Sequence, residues 1–401
     1  MLIHRIAAQL YTAEALQTVE AGLDSGEDVT LAVSQSGRTL MAAAQFARRP
    51  RPTVYIVSGE DAADRAARSL AAYVGLAHVC RFPERKDYPW REQAPDDAVV
   101  AQRCEALGRI VRGDNCIMVA SARALLRCVP PVESRYWEST TFAVGEEIPF
   151  DEVPQRLVGM GYTNAGAADA PGLFRVHGDT VEVFPAQEKA PVRIEFFGDE
   201  IDRISTLHPL TGDEIDEENE VHIFPASHYV AGPERMERAL KTIREELEER
   251  LAELRKQGKE LEAQPLNMRT TYDLEMLTQV GVCSGVENYS RHFDGRAAGT
   301  PPHTLLDFFP DDFLLVIDES HVTVPQIGAM YEGDASRKRT LVEHGFRLPS
   351  AMDNRPLKWP EFLQRVGQTV YLSATPGDYE MGLSDGVVEQ IIRPTGLLDP
   401  K

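Results

Sequence analysis

The hydrophobic pattern divides the chain into segments of different period. Up to residue 145, short apolar runs alternate with longer amphipathic stretches. Asp28–Val33, Pro52–Val57 and Cys116–Ala120 read as strands, and Thr39–Arg48, Asp61–Tyr73 and Ala98–Val111 as helices. Strands separated by helices of this length predict βαβ units and a parallel sheet. From 146 to 228 the period changes to two. Gly178–Phe184 and Val192–Asp199 alternate apolar and polar residues between turn residues, which predicts antiparallel strands with one wet face. A helical period follows over 233–262. Met236, Leu240, Ile243, Leu247, Leu251 and Leu254 cover 18 residues in five steps, a mean of 3.6, as in an ordinary amphipathic helix. Pro233 suits its N-terminus, and Tyr272–Val280 reads as a second helix.

Residues 313–323 break the pattern. Phe313–Ile317 is wholly apolar and runs straight into Asp318-Glu319-Ser320-His321. Such a run suits a strand buried on both faces of a parallel sheet. Acids at its C-terminal end sit where open α/β sheets bind ligands. The first can hold Mg²⁺ on a nucleotide phosphate, and the second can position an attacking water. Val370–Gly377 repeats the design, with an apolar strand leading into Ser373-Ala374-Thr375. A D-E-x-H box followed by an S-A-T box resembles the Walker B and SAT motifs of superfamily 2 helicases. The resemblance implies an α/β fold: a RecA-like, P-loop-type parallel sheet, helicase domain 1, carrying an inserted β-rich domain and a helical insertion. The expected parts are 1–145 and 301–401 for the sheet domain, 146–228 for the β-rich domain and 229–300 for the helical insertion.

A working phosphate loop reads G-x-x-x-x-G-K-[ST], its backbone N–H groups and lysine reaching the phosphates. The candidate here is Ala32-Val33-Ser34-Gln35-Ser36-Gly37-Arg38-Thr39. Ala32 stands for the first glycine and Arg38 for the lysine. Arginine keeps the charge but is planar and larger, so the exchange is not conservative. The resemblance implies ATP and Mg²⁺ as cofactors, bound by Gly37, Arg38, Thr39, Asp318, Ser373 and Thr375. Asp318 would hold the metal, and Asp318 and Glu319 would be the catalytic acids. The altered loop predicts that nucleotide binding is weak or lost.

Longer motifs narrow the resemblance. Gly285–His292, Pro325–Gly328, Gly345–Ala351 and Asp353–Leu357 resemble the UvrB family, the damage-verifying subunit of the bacterial UvrABC excinuclease, and the match runs nearly unbroken from about residue 190. The N-terminal third is more similar to the UvrB-like module of the transcription-repair coupling factor Mfd. The family docks on UvrA through charged strand residues of its β-rich domain, and Arg175, Arg193 and Glu195 match them. Where the family has arginine in R-G-D, this chain has His177-Gly178-Asp179. The bland alternative for Arg193 is a cross-strand salt bridge. The family's aromatic DNA-gripping hairpin is replaced by Arg81–Arg91, a short proline-broken segment, and Gln9–Gln17 lacks the family's adenine-contact motif. The chain stops at Lys401, so a second RecA-like domain with its arginine finger is not expected, and neither is autonomous ATP hydrolysis.

Composition sets the outer limits. The chain has 401 residues, 43% hydrophobic, enough for two or three domains. Its five cysteines form no C-x-x-C pair, which argues against zinc and a disulfide framework, and there is no apolar run near 18 residues. A soluble, cytoplasmic protein without membrane contact is expected. The net charge is −21, so bulk electrostatics repel DNA. Damaged DNA must then be met through a local patch or be delivered by UvrA. UvrC or a separate motor domain completes the expected partners. The competing readings are an ATPase-dead, Mfd-like UvrA adaptor and an unrelated nucleotide-dependent enzyme.

Overall fold

The computed structural model describes residues 14–33, 35–85, 97–132, 139–226, 233–281, 283–383 and 387–390. Several expectations fall outside them: Tyr88 and Trp90 in the proline-broken segment, most of Gln9–Gln17, and the stretch after Gln390.

Seven strands build a parallel sheet. Four precede the insertions: β1 (Val29–Val33), β2 (Thr53–Val57), β3 (Val79–Phe82) and β4 (Ile117–Ser121). Three follow them: β13 (Leu314–Asp318), β14 (Thr369–Ser373) and β15 (Val387–Gln390). The order is β15-β1-β14-β13-β2-β4-β3, with every neighbouring pair parallel. Alternation explains the unbroken apolar runs. Leu315 and Ile317 pack with Val54 and Ile56 in the core on one face, whereas Leu314 and Val316 join Tyr55 and Val57 on the other. With both faces covered, Leu314–Ile317 is apolar throughout, and charge enters only where the chain leaves the sheet. The acids after Ile317 therefore emerge mid-sheet, between β14 and β2.

The β-rich unit contains β5 (Thr140–Ala143), β6 (Thr163–Asn164), β7 (Leu173–His177), β8 (Thr180–Val183), β9 (Val192–Phe197), β10 (Glu200–Leu207), β11 (Glu214–Glu218) and β12 (Glu220–Ile223). Strands β7 to β11 form a consecutive antiparallel meander, with β6 parallel at one edge. The unit starts earlier than the boundary expected at 146. β5 pairs with β12, and Phe142 is fully buried in the β-rich core. That pairing joins residues some 80 positions apart, so local pattern could not reveal it.

The helical unit differs more. The first helix ends at Lys256, short of 262, and the second spans Glu260–Gln279 rather than starting at Tyr272. Gly258, at φ 74°, makes the turn between them, and Pro265 lies inside the second helix. Ile243, Leu247 and Leu254 pack on Leu266, Leu274 and Leu277. Gly345 is fixed by this unit. Its φ is 70°, and an added Cβ would overlap the backbone carbonyl of Glu262.

Candidate functional site

β13 places Asp318 as its last residue, and Glu319 follows at φ 47°, the only non-glycine with positive φ among the described residues. Left-handed backbone at such a residue costs energy and is typical of functional sites. The turn is held locally. The Glu319 N–H donates to Asp318 Oδ1 at 2.9 Å, and Thr323 Oγ1 donates to the Asp318 carbonyl at 2.7 Å. The Ser320–Glu343 helix then begins, with Glu319 as its N-cap.

The second box is tied to the first. β14 lies beside β13 with Leu372 opposite Asp318. Ser373 Oγ sits 2.8 Å from His321 Nδ1 and accepts from the Thr375 N–H at 3.0 Å. Thus the S-A-T hydroxyl meets the histidine of D-E-x-H, while the Thr375 side chain is exposed. Buried Glu380 closes the same edge: it accepts from Ser320 Oγ at 2.6 Å, and its carbonyl accepts from Thr30 Oγ1 at 3.3 Å. Glu380 was not foreseen in the sequence, because nothing local distinguishes it from a solvated helical acid.

The expected phosphate loop takes another form. β1 runs to Val33, and the next helix spans Gln35–Arg48. Gly37, Arg38 and Thr39 are helical rather than part of an open loop. Arg38 is 3% exposed. Its Nε lies 3.1 Å from Asp318 Oδ1, and its Nη1 2.5 Å from Glu319 Oε1. Neither nitrogen has a well-aligned hydrogen-bond acceptor, so the contact is mainly charge against charge. Tyr55 lies under it from β2. Burial and the Asp318 carboxylate both push the Tyr55 pKa up. Burial likewise raises Asp318 above the ordinary aspartate range, with Arg38 opposing. A phosphate needs free backbone N–H groups and a free cation. Here Gly37 to Thr39 are helical, and the cation is already paired. These residues do not fit a cradled nucleotide phosphate, and no chemical step is derived through one.

The β-rich unit carries a second cluster on its wet face. The register sets Arg175 opposite Glu182, and Glu182 opposite Arg193. Glu182 is the hub. It accepts from Arg175 at 2.6 and 2.9 Å and from Arg193 at 3.1 and 2.9 Å. Burial favours the neutral acid, but the two guanidiniums outweigh it and hold its pKa below the usual glutamate range. Arg193 reaches Glu214 at 3.3 Å, and Arg203 bridges Glu214, Glu217 and, at 3.8 Å, Glu195. Arg175, Arg193 and Glu195 therefore stand in one network of alternating charge. The salt-bridge alternative for Arg193 is realised, and Glu182 and Arg203 are members that sequence reasoning missed. Strand alternation could have suggested both, since each shares a face with Arg193.

Three of the four family motifs, Gly285–His292, Gly345–Ala351 and Asp353–Leu357, supply residues to a third cluster, which ties the helical unit to the sheet domain. Glu246 accepts from the Ser350 N–H at 2.8 Å and meets His292 Nε2 at 2.7 Å, while His292 Nδ1 meets Thr242 Oγ1 at 2.9 Å. Arg291 pairs with Glu246 at 3.3 Å and with Asp353 at 2.9 Å. Arg355 forms a two-pronged pair with Glu361 at 2.7 and 2.9 Å.

An α/β domain with a central acid box, interrupted between β4 and β13 by a β-rich and a helical unit, defines the class. Two family models match inside it: the UvrB interaction domain over residues 140–229 and the UvrB third helical domain over 234–295. Proteins named UvrABC system protein B match over almost the whole chain. That of Bifidobacterium longum (strain NCC 2705) is 64% identical over 97% of this chain and 57% of its own length. Those of Streptomyces coelicolor and Thermobifida fusca are 53% and 52% identical, each over 97% of this chain and 56% and 57% of their own lengths. The chain belongs to the UvrB family. It spans a little over half the length of these relatives. The alignment also covers most of the N-terminal third, which the sequence reading set nearer to Mfd, so similarity to UvrB is not confined to residues after 190. No helix among the described residues is long and apolar enough to cross a membrane.

Proposed function

We propose that this chain is a UvrB-type component of bacterial nucleotide excision repair that docks on UvrA and meets damaged DNA through it. The observation that carries this reading is the match of residues 140–229 to the UvrB interaction domain. The network around Glu182 supplies the docking surface in this reading. Its guanidiniums are partly exposed, at 39% for Arg175 and 25% for Arg193, so an acidic partner can exchange for Glu182 or Glu214. Charged pairs of this kind set partner choice and association rate more than raw affinity. The seven-stranded sheet is taken as a RecA-like helicase domain 1, and a cytoplasmic repair complex with UvrC or a separate motor domain as its setting. ATP and Mg²⁺ are not assigned a role.

A second reading is an adaptor of the Mfd type, which binds UvrA without a nucleotide cycle of its own. The junction between Val33 and Gln35, with Arg38 spent on the acids, favours it. Both readings share UvrA docking and differ in DNA loading. A gel shift with UvrA and a lesion-bearing duplex tests them. Loading as a UvrB predicts a further, slower band when the chain is added, dependent on UvrA and lost with Arg193→Glu. An unchanged UvrA–DNA band, or its removal, favours the adaptor. A band formed by the chain alone with DNA would contradict both.

A further inference from the structure

We propose that Arg38 is the resident ligand of the acid box: an internal plug that occupies Asp318 and Glu319 in place of a metal-bound nucleotide and staples the Gln35–Arg48 helix to the sheet. Four observations carry this. The guanidinium meets both acids, at 3.1 and 2.5 Å. It is 3% exposed and Asp318 is largely buried, so water screens that pair little, while the Glu319 carboxylate, 38% exposed, keeps one side in solvent. The helix that bears it, Gln35–Arg48, packs its Met41, Ala42, Ala43 and Phe46 in the core on one face of the sheet, which holds the base of the Arg38 side chain over the acids. Finally, Glu319 keeps a left-handed backbone at φ 47°, which its neighbours must hold in place.

The arrangement explains why the acids persist beside a loop that cannot cradle phosphate. Two neighbouring carboxylates at the centre of a sheet edge need a cation. In a nucleotide site, Mg²⁺ and the loop lysine share that role. Here Arg38 meets both acids, and His321 is a further basic group beside them, its Nδ1 3.6 Å from Glu319 Oε2. Removal of Arg38 leaves two adjacent acids without its charge, whereas removal of all three charges leaves nothing to compensate. Breaking one side of a buried ion pair is strongly destabilising, while replacing the whole set by neutral groups of similar size is often neutral. Coupling between contacting residues is what a multiple-mutant cycle measures.

The test is a set of thermal melts on the full chain, needing no UvrA, so it succeeds or fails independently of the docking reading. The variants are Arg38→Met, the pair Asp318→Asn with Glu319→Gln, and all three together. Each melt is run with and without millimolar Mg-ATP. The proposal predicts a fall of several degrees for Arg38→Met and for the acid pair, and recovery of most of that loss in the triple variant. It also predicts no Mg-ATP shift in the wild-type chain. If Arg38→Met fails to fold, the triple variant still decides, because the proposal requires it to fold and melt near wild type. Additive losses in the triple variant would overturn the staple. A Mg-ATP-dependent rise in wild-type melting temperature that is lost with Asp318→Asn would overturn the plug.

Discussion

At the scale of the residue, Glu182 and Gly345 carry the most consequence for their size. Glu182 sits between two arginines on adjacent strands and is the only acid to which both donate. Glu182→Ala leaves two like charges facing each other across β8. Hydrogen bonds to charged groups contribute about 1.5–3 kcal/mol each, so a loss of about 2 kcal/mol is expected, read as a lower urea midpoint. Gly345→Ala acts on the backbone instead. The φ of 70° and the overlap with the Glu262 carbonyl both oppose a side chain. Strain of this kind costs about 1–3 kcal/mol before the clash is counted. A melt of Gly345→Ala should show a clear loss, whereas Gly333→Ala, in open space within the Ser320–Glu343 helix, should not.

At the scale of the element, the parallel strands were the most legible. Leu314–Asp318 and Thr369–Ser373 announced themselves because a strand buried on both faces is mostly apolar, and the acids and the Ser373 hydroxyl follow where it ends. The helical unit was less legible. The helical period was read to residue 262 and the second helix only from Tyr272, whereas the break falls at Gly258 and the second helix runs through Pro265. The start of the β-rich unit was hidden because β5 finds its partner in β12, far along the chain. The junction at Ser34 was half legible: the missing glycine and lysine showed in the sequence, but the pairing of Arg38 with the acids is a contact between segments 280 residues apart. Glu246 makes the clearest pH prediction for an element contact. Burial opposes its ionisation, but hydrogen bonds with His292 and Ser350 and the charge of Arg291 prevail, so its pKa lies below the ordinary glutamate range. A depressed carboxylate stabilises the fold above its unfolded pKa and loses that contribution as pH falls through the folded value. Stability in urea should therefore fall as pH drops through and below the ordinary glutamate range. Glu246→Gln should be less stable at neutral pH and show a shallower fall. An identical pH profile in the variant would remove Glu246 from this role.

At the scale of the whole molecule, three units have separate tasks. The sheet domain presents an acid box filled by its own arginine, the helical unit is locked to it through Glu246, Arg291 and Asp353, and the β-rich unit offers a charged face. With a net charge of −21, the chain gains little from general attraction to DNA, which is the physical reason for the proposal that UvrA delivers the DNA. The central claim is that docking lives on the β-rich face and is indifferent to the acid box. The most direct measurement is a titration of purified UvrA with the chain in Mg-ATP, comparing wild type, Arg193→Glu and Glu319→Gln. The account predicts that Arg193→Glu weakens binding at least about tenfold, which is about 1.4 kcal/mol, while Glu319→Gln binds as wild type does. Unchanged affinity for Arg193→Glu, or a loss confined to Glu319→Gln, would contradict it.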